Sequence, residues 1–148
     1  MILEFNQADI SVFEEMLPIL KEHSKYIFGP DFVLDPDVEG YKRAIENGCY
    51  VLFTLRSEGL LVGYAGFWIS KSFHSKSVLL ANCDLIYVMP AFRGNGHLFI
   101  EACDEVLSGM GVNEIMHSVT KNHDYSKTLT RLGFTEFERL FVKSIKQD

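Results

Sequence analysis

Residues Ala81 to Ala102 read ANCDLIYVMPAFRGNGHLFIEA. An apolar run ends at Pro90, a short loop carries Arg93-Gly94-Asn95-Gly96, and apolar residues at helical spacing follow at once. Strand, glycine-bearing loop and helix N-terminus make a place for an anion, because first-turn amides lack partners and the helix dipole adds positive potential there. Gly94 and Gly96 are expected to permit positive φ and to let a phosphate approach the backbone without an intervening Cβ. Upstream, Asn82 and Asp84 interrupt the apolar strand, and strict alternation places both on one face with Ile86 and Val88. A carboxylate there requires either hydrogen-bond donors or a role as a base whose pKa is raised by partial burial, and the strand alone leaves both readings open.

Working outward, Leu98, Ala102 and Val106, with Phe99, Cys103 and Met110, predict a helix with one broad buried face that closes near Gly109-Met110-Gly111. This spacing turns Leu98 onto the sheet and His97 toward solvent. Val112 to Val119 reads as a strand. A helix then opens at His123-Asp124, carries Tyr125, Leu129 and Leu132 along one side and ends at Gly133, and Phe134 to Ile145 reads as two short strands. On the N-terminal side the pattern gives a strand at Ile2–Phe5, a helix capped by Asp9 and kinked or shortened at Pro18, and an aromatic loop from Tyr26 to Leu34. A helix starting at Asp35-Pro36 follows. Cys49–Leu55 and Leu60–Ser70 form a hairpin in which Gly63 and Gly66 mark a bulge or a close approach, and Ser77–Met89 is the next strand. His74, in the turn between strands, is a minor candidate for substrate contact.

The 148 residues, 47% of them hydrophobic, suit a single domain spanning 1–148. A net charge of -6 without a basic patch argues against nucleic acid as the main ligand and is mild support for a cationic acceptor. Cys49, Cys83 and Cys103 are odd in number and widely spaced, which reads as reduced core thiols rather than a disulfide frame or zinc site. The histidines have no metal-ligand spacing, and no metal is expected. Without a leader pattern or membrane-length apolar run, a cytoplasmic protein with no membrane partner is expected.

Two familiar nucleotide loops are excluded by spacing. The P-loop pattern GxxxxGK[ST] is absent after Gly94, and a Rossmann fingerprint would need glycine where Phe99 stands. The order of strand, Pro90, Arg93-Gly94-Asn95-Gly96 and helix, with Asn122 and Leu132-Gly133-Phe134 downstream, resembles the GNAT superfamily of N-acetyltransferases. The match to its Q/R-x-x-G-x-G/A signature holds at Arg93 and Gly96 and departs at Leu98. The hairpin around Phe67, Trp68 and Phe73 also resembles, more loosely, small acetyltransferases of tailed phages.

The resemblance implies an α/β fold, with a mixed, mostly antiparallel sheet of six to seven strands and about four helices. It implies acetyl-CoA as co-substrate, with backbone groups of Ile86, Tyr87 and Val88 along the pantetheine arm. Arg93, Gly94, Asn95, Gly96, His97 and Leu98 fall at the pyrophosphate, and Asn122 near the thioester. It further implies direct acetyl transfer to a primary amine of a small molecule or protein, with Asp84 as base and the Val88 amide as oxyanion donor. The tyrosine that many members use as acid falls at Leu129, leaving Tyr125 as a substitute. A homodimer stays open, as do a non-catalytic acyl-CoA sensor and a fold-retaining partner-binding protein.

Overall fold

The computed structural model describes residues 2–145. Its strands are β1 (Leu3–Ala8), β2 (Tyr50–Ser57), β3 (Leu60–Lys71), β4 (Leu79–Val88) and β5 (Glu114–Met116), joined in that order in one sheet. β1 to β4 are antiparallel neighbours, and β5 runs parallel to β4. Helices α1 (Phe13–Phe28) and α2 (Val38–Glu46) cover one face, and α3 (Gly96–Gly109) and α4 (Ser126–Arg131) cover the other. The mixed α/β fold expected from the sequence is present. The strand count is lower than the expected six to seven, because Phe134–Ile145 joins no strand among the described residues.

Each face has its own core. Phe13, Met16 and Leu20 of α1 pack with Tyr50, Leu52 and Tyr64, while Phe99, Cys103 and Leu107 of α3 pack with Phe53, Phe67 and Ala81. β2 and β3 are therefore buried on both sides and carry apolar residues almost continuously.

Local chemistry sets the boundaries. The Asp9 carboxylate accepts from the Ser11 amide at 2.9 Å and opens a 3-10 turn that runs into α1. α1 continues through Pro18 and ends at Gly29, whose φ of 105° stops it, so residues 26 to 28 are helix rather than loop. α2 starts at Val38 instead of Pro36, because Asp37 supplies the cap, accepting from Gly40 N at 2.9 Å. Glu58 and Gly59, with φ of 50° and 83°, form the two-residue turn between β2 and β3. Cys49, expected in the core, is exposed. Among the described residues no helix is long and apolar enough to cross a membrane.

Two register shifts govern the middle of the sheet. Leu55 pairs with Gly63 and Arg56 with Leu61, leaving Val62 as an extra residue. Gly66 pairs with Leu85 and Phe67 with Cys83, leaving Asp84 as the extra residue. Gly63 and Gly66 flank these bulges, one of the two readings given to them in the sequence. β4 keeps β5 as a neighbour only from Leu80 to Asn82. Beyond that the two strands part, and Cys83 to Val88 has no partner on its outer side among the described residues.

Candidate active site

The bulge at Asp84 corrects the strand alternation. One inserted residue flips everything after it to the opposite face. Ile86 and Val88 join the core under α3, whereas Leu85 and Tyr87 pack on the α1 side. Asp84 thus faces α2 and not the side that Ile86 and Val88 face. Its Oδ2 accepts from the hydroxyls of Tyr41 and Tyr50, each at 2.8 Å. The Tyr50 hydroxyl lies over Gly66, where a Cβ would collide with it. Trp68 closes the group, stacked on Tyr41 and edge-on to Tyr50. Burial first, and then the Asp84 carboxylate, push both tyrosine pKa values well above the ordinary range, so both remain donors.

Asp84 opens into a cavity of about 790 Å³ that passes between α1, the 32–37 loop, α2 and the gap beyond β5. Cys83, Leu85, Ile86, Ser118, His123 and Tyr125 are among the residues that line it. The Tyr125 hydroxyl lies 3.0 Å from His117 Nδ1. Burial pushes the Tyr125 pKa well up, and it pushes the Cys83 thiol up to about 12. Tyr125 stands at the cap of α4, not inside it, because α4 starts at Ser126 rather than at His123-Asp124. Leu129 is buried in the core beneath α3.

Backbone geometry at the end of β4 follows from one hydrogen bond. Met89 N donates to Val62 O at 2.8 Å, which makes Gly63 and Val88 a non-hydrogen-bonded pair. The amide and carbonyl of Val88 therefore point away from β3 into the gap left by β5, and alternation gives Ile86 the same orientation. Arg93 Nε donates to the Val88 carbonyl at 3.1 Å, and its guanidinium lies over the Tyr87 ring, 5.4 Å from the centroid.

Residues 90–95 form a 3-10 turn that runs directly into α3, rather than an open loop. Neither Gly94 nor Gly96 takes positive φ, contrary to expectation; Gly96 is helical at φ -58°. What both glycines do provide is space, since a Cβ at either would meet nothing within 4 Å. Asn95 is the helix cap by position but gives no side-chain cap bond; its Nδ2 donates to Phe92 O at 3.5 Å. His97 is exposed, as expected. Leu98 is not: the sequence placed it on the sheet, and it is 52% exposed. The inward stripe of α3 runs through Phe99, Cys103 and Leu107, one position further round. Asn122 is exposed, and its Nδ2 donates to Ile27 O at 3.4 Å, linking the turn before α4 to the end of α1.

The sequence did not single out the histidines of the site. His23 is buried, 4% exposed, with Nδ1 2.9 Å from the Tyr64 hydroxyl, its ring stacked 4.4 Å from Tyr87 and edge-on to His123. Its Nε2 is buried without a partner among the described residues. Burial, helped by His123 and Arg93, lowers its pKa to about 4, and burial lowers His117 to about 4. His23 sits three residues past Leu20 and extends the Phe13, Met16, Leu20 stripe, the one signal that could have found it. Among the described residues no group of three His, Cys, Asp or Glu side chains is placed to hold a metal.

No protein-family model and no curated protein matches this sequence. Solved structures do match in fold. A predicted acetyltransferase from Clostridium acetobutylicum, solved with acetyl-CoA, superposes with TM-score 0.74 at 12% identity, covering 97% of this chain and 96% of that one. An aminoglycoside acetyltransferase from an uncultured soil metagenomic sample, in complex with sisomicin, gives 0.76 at 17% identity over 97% of both chains. Glucosamine-6-phosphate N-acetyltransferase from Arabidopsis thaliana gives 0.72 at 14%, over 99% of this chain and 100% of that one. The chain, with a parallel β5 that leaves β4 at mid-strand, thus shares the fold of these solved acetyltransferases.

Proposed function

We propose that the chain acts as a single-domain N-acetyltransferase that moves the acetyl group of acetyl-CoA directly to a protonated primary amine. The observation that carries this reading is the outer edge of β4. Ile86 presents its backbone donor and acceptor, and Val88 its donor, to a gap that leads to Asp84 on one side and Tyr125 on the other, while the Val88 carbonyl accepts from Arg93. An extended pantetheine, with its alternating amides, can add to that edge as a strand would. The open surface at Gly94 and Gly96, at the start of α3, suits a pyrophosphate. His97, Leu98 and Asn95 border it, and Asn122 would lie toward the thioester end.

The thioester supplies an activated acetyl group. Asp84 takes the proton that the ammonium must lose before its lone pair can form the new C–N bond, and Tyr41 and Tyr50 hold the carboxylate in position. The Val88 amide donates to the oxygen where negative charge develops. As the C–S bond breaks, the Tyr125 hydroxyl, which burial keeps protonated, is the nearby donor for the departing sulfur.

The cavity wall favours a cationic acceptor. Asp35, Asp37 and Asp84 line it with no Lys or Arg among the described lining residues. Burial holds His23 and His123 toward the neutral form. Phe28, Phe32, Tyr41 and Trp68 add aromatic surface. Such a wall suits an organic amine or aminoglycoside better than an acceptor carrying a phosphate.

Thermal melts with and without acetyl-CoA, followed by thiol release over a panel of amines, test the reading. Binding at a hundredfold excess over Kd adds about 2.7 kcal/mol of stability. No shift at millimolar acetyl-CoA would sink it. A shift without thiol release for any amine would leave an acyl-CoA sensor instead.

A further inference from the structure

The pairing of β4 with β5 ends at Asn82 and Met116. The next residues along the chain are Cys83 and His117, so His117 stands where the sheet opens into the gap that the thioester would enter. Its ring is framed by Phe67 and Phe134, both nearly perpendicular to it, with centroids 5.7 and 5.2 Å away. The one hydrogen-bond partner of the ring among the described residues is the Tyr125 hydroxyl, 3.0 Å from Nδ1, and Nε2 is buried without a partner.

Those contacts decide between two positions for one proton. No carboxylate bonds the ring among the described residues, and burial lowers its pKa to about 4, so at neutral pH the imidazole is uncharged and carries a single N–H. With the proton on Nε2, a donor is buried without an acceptor, and the Tyr125 proton is turned back toward Nδ1. With the proton on Nδ1, the histidine donates to the Tyr125 oxygen, and the orphan is a bare acceptor. The Tyr125 proton is then free to point at a molecule in the cavity that Tyr125 lines. Buried donors are left without partners less often than acceptors, which selects the second arrangement.

We propose that His117 sets up Tyr125 as the acid of acetyl transfer: its Nδ1–H bonds the Tyr125 oxygen, turns the hydroxyl proton toward the departing sulfur and holds the phenolate that results. His117 is a positioning residue, acting only through Tyr125. As the C–S bond breaks, its electron pair goes to sulfur, which takes the Tyr125 proton and leaves as the thiol. The phenolate regains a proton from the new amide nitrogen, which still has one to lose. Burial opposes a negative charge on Tyr125, and a donor on its oxygen offsets that cost. The inference rests on the acetyl-transfer reading of the site.

Nitrogen-15 NMR of the histidine rings reads the tautomer in the wild-type chain without any measure of activity. Nδ1–H is expected at His117, and Nε2–H overturns the inference. Thiol release from acetyl-CoA over a panel of amines reads the role. His117→Leu should lower kcat about 10–100-fold, the worth of one hydrogen bond to a charged oxygen, with KM for acetyl-CoA unchanged. His117→Asn, whose amide N–H falls near the place of Nδ1–H, should recover most of the loss. In a Tyr125→Phe chain the same His117→Leu substitution should cost nothing further. An equal loss in both backgrounds, or no rescue by asparagine, assigns His117 to packing and overturns the inference alone. A wild-type chain that releases no thiol with any amine overturns the acetyl-transfer reading, and the inference with it.

Discussion

The Tyr50 hydroxyl reaches Asp84 Oδ2, 2.8 Å away, by crossing the backbone at Gly66, the one place on β3 beside the bulge with no side chain to block it. The bulge and the glycine are two parts of one arrangement. The extra residue turns Asp84 toward α2, and the missing Cβ lets the phenol arrive.

Gly66→Ala should therefore act on both stability and the site. The new methyl falls on the Tyr50 hydroxyl, and overpacking of this kind costs about 1–3 kcal/mol. For a chain of this size that lowers Tm by roughly 2–10 °C, read by thermal melting. Tyr50→Phe, which removes only the hydroxyl, should lower acetyl transfer while leaving Tm closer to wild type. Equal rates in the two variants and wild type would detach this contact from function.

Asp84→Asn preserves the shape of the side chain and removes its capacity as a base. Thiol release should fall by about 10²–10⁴. Acetyl-CoA affinity, measured by calorimetry, should hold within a few fold, because Asp84 faces α2 rather than the outer edge of β4. A rate equal to wild type would remove Asp84 as the base.

Gly96→Ala separates folding from phosphate binding. Gly96 is helical and a Cβ there meets nothing within 4 Å, so alanine should be neutral or stabilising by up to about 1 kcal/mol. The added methyl stands where a pyrophosphate would approach, so KM for acetyl-CoA should rise with kcat little changed. An unchanged KM would move the phosphate away from the start of α3.

The hairpin and the presence of the helices were legible because each rests on local signals: alternation, the cap at Asp9 and turn glycines, whereas the second helix opens at the Asp37 cap and not at Asp35-Pro36. The direction of Asp84 was not. It depends on an inserted residue that appears only when β3 and β4 pair, and no single strand carries that information. Leu98 was misread for a related reason. Leu98, Ala102, Val106 and Phe99, Cys103, Leu107 are neighbouring stripes of one helix, and only the packed sheet selects between them. Phe134–Ile145 has strand composition, but a strand exists only where a neighbour supplies its hydrogen bonds.

The buried histidines give stability a predictable dependence on pH. His23 and His117 titrate near 6.5 when unfolded and near 4 when folded. Their contribution is full above 6.5 and is lost as pH falls toward 4, because the unfolded chain takes up protons first. Urea melts between pH 7 and pH 5 should show stability falling by up to about 1.4 kcal/mol per pH unit per histidine. His23→Gln should flatten part of that slope, and a slope unchanged in this variant would assign it elsewhere.

Asp104 of α3 supplies the opposite sign. Its Oδ1 is buried without a partner among the described residues, and burial, with Glu101 adding repulsion, raises its pKa to about 6. A carboxyl whose folded pKa exceeds its unfolded value contributes fully below about 4, and that contribution is lost as pH rises through 6. Asp104→Asn removes the charge that must otherwise be held half-buried at neutral pH. The variant should melt above wild type at pH 7.5 and converge with it at pH 4. The pH at which each variant departs from wild type separates this effect from that of the histidines, since the Asp104→Asn difference grows from pH 4 and is full above 6.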